Sequence, residues 1–290
     1  MSKEPELIQC PKCGSTDVVK RGVVENQRGP TQRHGCKSCG YRFTIDLFKG
    51  KRVEPETIAS SIALYFCGLS LKRVGYVMWQ CLGKECSQIT VFNWIFEYTP
   101  KVASFLRRIK VSTGETWQFG GKPIRVGGEK RTLFVVMDRS TRFILSALIS
   151  LGEIQQDAVD ALRYASELAR TPPKVIESGA WEGYGKAITT IFGNSVSHSP
   201  SPDENSDISW LSQLTGVAGR LYGSKLRDMC GLKSKEKAQH IIDGLTTSHN
   251  YVWPNMALDE KTPSEVAGAQ VELDRNRWLS LLNKSLQVIG

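Results

Sequence analysis

The chain has 290 residues, 40% of them hydrophobic, with seven Trp and eight Cys, a composition that excludes a disordered polymer. Its most apolar stretch, TLFVVMDRSTRFILSALIS, is interrupted by Asp138, Arg139 and Arg142, so no membrane-spanning helix is expected. The net charge of +9 is uneven: residues 1–111 carry 18 Lys/Arg against 9 Asp/Glu, and residues 112–290 carry 20 against 20.

A basic first third joined to a neutral body points to a polyanion-binding head, with nucleic acid as the leading polyanion. A merely solvated basic surface is the alternative that composition leaves open. The N-terminal MSKEPELIQC is polar and lacks a signal-peptide pattern. A cytoplasmic location, without membrane association, is therefore expected.

Residues 8–46 contain Cys10, Cys13, Cys36 and Cys39 as two C-x2-C knuckles, each followed by glycine, around a hairpin-like insert. Four thiolates in this arrangement suit a closed tetrahedral zinc shell. One structural Zn²⁺ per chain is expected, and so small a module would draw much of its folding energy from the metal. Arg21, Arg28, Arg33, Lys37 and Arg42 are candidate phosphate contacts. Tyr41 and Phe43 are expected to pack on the ribbon, and His34 to lie at its surface or to contact phosphate. Cys67, Cys81, Cys86 and Cys230 stand among apolar residues and read as buried small hydrophobes.

Residues 54–108 read as three helices. EPETIASSIALYFCGLS ends at Gly68, SLKRVGYVMWQCLG runs from the N-cap Ser70 to Gly83, and SQITVFNWIFEYTPKVASFLRRIK opens on Ser87. Helix, glycine turn and Ser/Thr-capped helix form the helix-turn-helix pattern. In it, Gln88, Thr90 and Asn93 would reach base edges while Val91, Trp94 and Ile95 face the core. Lys72 and Arg73 on the preceding helix are further candidate DNA contacts. A generic three-helix bundle is the competing reading.

From residue 112 the pattern is α/β. RTLFVVMD and RFILSALIS read as paired strands, QQDAVDALRYASELAR as an amphipathic helix, KVIES as a strand, and GYGKAITTIF and KSKEKAQHIIDGLTTSHNYV as helices. This order is compatible with a ribonuclease-H-like sheet but does not single it out. SHSPSPDENSDISW, residues 197–210, reads as an acidic loop, either plain surface or a partner-binding segment.

GLSLKRVGYVMWQCLG, SQITVFNWIFEYTPKV, VMDRSTRFILS, GYGKAI, GLKSKEKAQHIIDGL and NYVWPNMALDEKTPSEVAG together resemble prokaryotic insertion-sequence transposases of the DDE class. The compact type common on archaeal elements and bacterial resistance transposons is the most similar group, and the resemblance runs from about residue 8 to 268. It is densest at Asn250, Tyr251, Pro254, Met256, Ala257, Leu258, Thr262 and Pro263. It implies a multidomain α/β protein: a zinc ribbon over 1–50, a helix-turn-helix domain over 51–110, a ribonuclease-H-like core over 111–270 and a helical tail over 271–290. It also implies double-stranded DNA as partner and a homodimer or larger assembly.

Enzymes of that class hold two divalent metal ions on three acids. Matched residue by residue, the three positions here are Gly114, Ser178 and Gly216. Glu115 and Glu177 adjoin the first two, but successive strand residues aim at opposite faces. Around Gly216 the nearest acids are Asp207 and Asp228. The expectation is therefore a catalytically inactive DNA-binding relative, without catalytic Mg²⁺, acting in transcription or chromosome organisation on the nucleoid. The alternatives are an active transposase with relocated ligands, drawn from Glu115, Glu177, Asp138 and Asp228, and an interaction protein tethered to DNA by its head.

Overall fold

A computed structural model of the protein describes Cys10, residues 12–26, 29–44, Phe48 and residues 53–150, 152–200 and 234–289. Arg28, Asp207, Gly216, Asp228 and Cys230, together with residues 201–210 of the expected loop, lie outside the described residues.

The first described unit is a small antiparallel sheet. β1 (Val18–Asn26) pairs with β2 (Gly29–Cys36), and β3 (Arg42–Thr44) adds to the far side of β2. The pairing places His34 opposite Phe43, and their rings stack with centroids 5.8 Å apart. His34 is only 5% exposed, so the expectation of a surface histidine is corrected: the β2–β3 register turns its ring inward. Tyr41 stacks on Phe43 as expected, while its own outer face stays exposed.

Three helices follow: α1 (Pro55–Phe66), α2 (Leu71–Leu82) and α3 (Gln88–Leu106). Their ends obey the capping chemistry written in the sequence. The Ser70 and Ser87 hydroxyls accept from the Arg73 and Thr90 amides, and Gly83 ends α2 in the left-handed conformation with φ 60°. Gly75 permits a close approach, since a Cβ there would lie 2.8 Å from the Cys86 carbonyl oxygen. Val91, Trp94 and Ile95 are buried. Cys67 and Cys81 are exposed and Cys86 half-buried. The reading of these three as core residues is thus corrected: Cys67 caps α1 and Cys81 sits on the outer side of the last turn of α2.

The main sheet contains β4 (Thr116–Val126), β5 (Glu129–Asp138), β6 (Ile144–Ile149), β7 (Val175–Ser178) and β8 (Ser197–Pro200), in the order β6-β5-β4-β7-β8. The β4–β5 and β5–β6 pairs are antiparallel, whereas β4–β7 and β7–β8 are parallel. Gly127 and Gly128, both at positive φ, make the two-residue turn between β4 and β5. The parallel connections run through α4 (Ile154–Leu168) and α5 (Glu182–Phe192). Residues 197–200, expected as loop, instead complete the sheet by pairing with β7.

After residue 233 the chain forms α6 (Lys235–Thr247), a π-helical turn over Ser248–Val252, the short helix α7 (Pro263–Val266) and α8 (Arg277–Ile289). α8 packs on α1 and α3, with Trp278 stacked on Phe66 at 5.5 Å, and α6 packs on α3 and β6. Gly244 of α6 leaves room for Phe66, whose ring would lie 2.0 Å from a Cβ at that position. One cluster of buried side chains runs from Phe48 through the sheet to Leu282. Helical segment, sheet and C-terminal helix therefore share a core that crosses residues 110 and 270.

Candidate metal centre and nucleic-acid interface

The two knuckles are shaped by backbone hydrogen bonds. The Gly14 amide donates to the Cys10 carbonyl and the Gly40 amide to the Cys36 carbonyl, with φ near +70° at both glycines. Only glycine adopts that conformation freely, so the residue after each C-x2-C folds the loop back on itself. The result gathers Cys10, Cys13, Cys36 and Cys39 with all four sulfurs within 4.8 Å of one another. Cys10 and Cys39, and likewise Cys13 and Cys36, stand 3.6 Å apart. A tetrahedron with Zn–S bonds of about 2.3 Å has S–S edges of about 3.8 Å, whereas a disulfide would need about 2.05 Å. The spacing fits four thiolates around one metal ion.

Arg21, Arg33, Lys37 and Arg42 surround this unit. Arg21, Lys37 and Arg42 are exposed and Arg33 is half-buried. The Arg21 stem lies across Gly35, and Lys37 pairs with Asp17 at 3.6 Å. At the start of α3, Gln88 and Asn93 are exposed, and Thr90 is half-buried with its hydroxyl 2.9 Å from that of Ser87. Lys72 and Arg73 are exposed on the first turn of α2.

Of the positions matched to catalytic acids, the two described ones, Gly114 and Ser178, do not converge. Gly114 precedes β4, and its amide donates to Oδ1 of Asp138 at 3.0 Å. Ser178 ends β7, beside Phe119 in the parallel ladder. Ser178 is level with Phe119 and the Glu115 carbonyl accepts from the Lys174 and Val175 amides, which sets position 114 about five residues, or about 17 Å, from Ser178 along the strand direction. Two-metal sites hold their ions about 4 Å apart, so residues 114 and 178 do not belong to one such site in this backbone. The ladder neighbours of Ser178, Phe119 and Pro200, are not acids either.

The acids nearby are engaged elsewhere. Asp138 is fully buried and accepts from the Gly114 and Thr141 amides and from the Ser140 and Thr141 hydroxyls. Glu115 is exposed and pairs with Lys174. Glu177 lies on the sheet face opposite Ser178, bonded to Gln118 at 3.1 Å and to Arg139 at 2.6 Å. Among the described residues, the four cysteines are the one group of three or more His, Cys, Asp or Glu close enough to hold a metal ion.

Two features escaped the sequence reading. The Ser178 hydroxyl meets Nε2 of His198 at 2.7 Å, joining the ends of β7 and β8; burial holds the His198 pKa below its ordinary value. The other is the role of Asp138: the sequence marks Arg139, Ser140 and Thr141 as the turn between two strands, but not the carboxylate that accepts from it, although an aspartate ahead of two hydroxyl residues is a known turn signature.

No family model matches the chain, and no curated protein matches it. Among solved structures, the chain resembles retroviral integrases over part of its length. The HTLV-2 integrase catalytic core in complex with magnesium (trimeric form) is 16% identical, with TM-score 0.40 over 55% of this chain and 99% of that one. The simian T-cell lymphotropic virus intasome in complex with the PP2A regulatory subunit B56 gamma gives 15% identity and TM-score 0.41 over 72% of this chain and 75% of that one. The BIV integrase catalytic core domain gives 11% identity and TM-score 0.34 over 53% and 93%.

Proposed function

We propose that the protein is a DNA-binding relative of insertion-sequence transposases in which cleavage chemistry has been lost and DNA binding remains. The observation that carries this reading is the alliance of a four-cysteine cluster, a Ser87-capped helix with Gln88 and Asn93 exposed at its start, and a charge surplus confined to residues 1–111. In this reading the four cysteines hold one structural zinc ion. α2 and α3 form a helix-turn-helix unit, and the five-stranded sheet is a ribonuclease-H-like core with its strands in the order third, second, first, fourth, fifth. The zinc would hold the two knuckles together, and all base and phosphate contact would fall to side chains of this chain.

Loss of cutting is supported by Ser178, at the end of β7 where the resemblance expects an aspartate, whose ladder neighbours Phe119 and Pro200 are not acids. It is supported further by the full set of donors on Asp138, which leaves that carboxylate little capacity for a metal. A homodimer on the nucleoid, acting as transcription regulator or chromosome organiser, completes the proposal.

The test is a gel-shift and nicking assay on one labelled duplex with Mg²⁺ or Mn²⁺ present. Salt-sensitive binding without strand cleavage is the expected result. Metal-dependent nicking that disappears in Glu115→Gln or Glu177→Gln would replace this reading with an active enzyme using relocated ligands. Absence of any DNA binding by the zinc-loaded protein would remove the DNA reading altogether.

A further inference from the structure

α2 has two unlike sides. Val74 and Met78 are fully buried, whereas Lys72, Arg73, Tyr76, Trp79 and Gln80 face outward. Lys72, Tyr76 and Trp79 stand at i, i+4 and i+7, which places them in one row along the helix. Tyr76 is 63% and Trp79 53% exposed, an unusual state for two large rings side by side. Nothing in the bundle requires them there, because α2 is already anchored to α1 and α3 by its other side.

The partner of such a face is set by its chemistry. α2 contains no acidic residue, and among the described residues neither Lys72 nor Arg73 is in an ion pair. A second copy docking through the same patch would bring a second pair of cations and no acid to neutralise either pair, because an isologous interface brings the same surface from both copies together. A polyanion whose monomers also carry aromatic faces satisfies both halves of the row. Duplex DNA supplies the phosphates but keeps its base faces stacked inside; unpaired strands supply both. The two rings are 6.4 Å apart at their centroids and tilted by 54°, so they do not form a parallel clamp on a single base. Each offers its own face, as two successive splayed bases would need.

We propose that the Lys72–Tyr76–Trp79 row of α2 is a stacking platform for unpaired DNA bases next to the duplex held by α3. It rests on the DNA-binding reading and narrows the substrate to DNA with a locally opened strand. Lys72 and Arg73 take the phosphates, and Tyr76 and Trp79 each take a base.

Fluorescence anisotropy of the full-length, zinc-loaded protein tests this, using a labelled duplex and the same duplex with a short unpaired thymine bubble. The bubble is expected to bind more tightly than the duplex. Tyr76→Ala and Trp79→Ala are each expected to weaken bubble binding by roughly tenfold while leaving duplex binding unchanged. Trp79→Phe, which keeps a ring, is expected to restore most of the loss. Both alanine variants remove exposed side chains, and an unchanged melting curve checks that they fold. Equal wild-type affinity for bubble and duplex, unaltered by the variants, would overturn the platform and leave the DNA-binding reading standing. A variant-induced drop in oligomer mass by light scattering would reassign the row to contact between copies. Failure of the wild type to bind either probe would sink the underlying DNA reading, and the platform with it.

Discussion

Four donors converge on the carboxylate of Asp138, two from backbone amides and two from hydroxyls, at a position fully shielded from water. Such an acid organises the β5–β6 turn and ties the segment before β4 to it. Asp138→Ala would leave the Gly114 and Thr141 amides without acceptors, and urea denaturation should show a loss of roughly 3 kcal/mol. A metal-ligand role would instead abolish a metal-dependent activity at nearly unchanged stability.

His249, buried in the π-helical turn, makes a second residue-scale prediction. Burial lowers its pKa, against the opposing effect of its 2.9 Å bond to the Arg142 carbonyl, to which the Nε2–H donates. The unfolded chain takes up a proton near the ordinary value of about 6.5 and the folded chain does so only at lower pH. Stability from this group is therefore complete above about pH 6.5 and declines as pH falls toward the folded pKa. Melting temperature should drop between about pH 7 and pH 5. His249→Gln, which retains a donor for the carbonyl, should flatten part of that decline; His34 and His198, also lowered by burial, would keep the remainder.

At the scale of elements, the edge strand β6 shows how a sheet boundary is protected. Asn250 accepts from the Ile144 amide and donates to the Ile144 carbonyl, both at 2.9 Å. Gln239 repeats the pattern on Ile149 and Ala147 at 2.9 and 2.8 Å. Two side-chain amides thus occupy ladder groups that an exposed edge would offer to another chain. Asn250→Ala should lower stability by roughly 2 kcal/mol, because it strands a donor and an acceptor together. The same variant should raise the tendency to aggregate, measured by light scattering on mild heating.

For the whole molecule, the four-cysteine unit and the shared core are expected to fail separately. The small sheet has few buried side chains of its own, whereas α1 to α6, α8 and the main sheet share one apolar cluster. If the four cysteines hold a metal ion as proposed, chelation should unfold the small sheet, seen as loss of protection in hydrogen exchange over residues 10–44, while the main melting transition persists. If the small sheet supplies phosphate contacts in the proposed DNA-bound state, chelation should also weaken that binding and reduce its salt dependence. Cys36→Ser should reproduce both effects without chelator.

Local chemistry was legible in the linear chain. The C-x2-C-G knuckles, Ser70 and Ser87 as caps, Gly83 as stop and the Val91, Trp94 and Ile95 core face are determined by interactions within a few residues, and each stands where the sequence places it. What only the tertiary structure decided involves distant partners. The inward turn of His34 comes from pairing with β3, and the strand at 197–200 comes from the β7 edge. The bracing role of Asn250 depends on a strand 106 residues away. The separation of Gly114 from Ser178 depends on parallel register, which no local pattern encodes. Capping and turn energies act over a single turn of chain, whereas register and burial are set by the sum of contacts across the fold. A motif match could therefore nominate residues 114 and 178 together, but only the ladder could show that they lie apart.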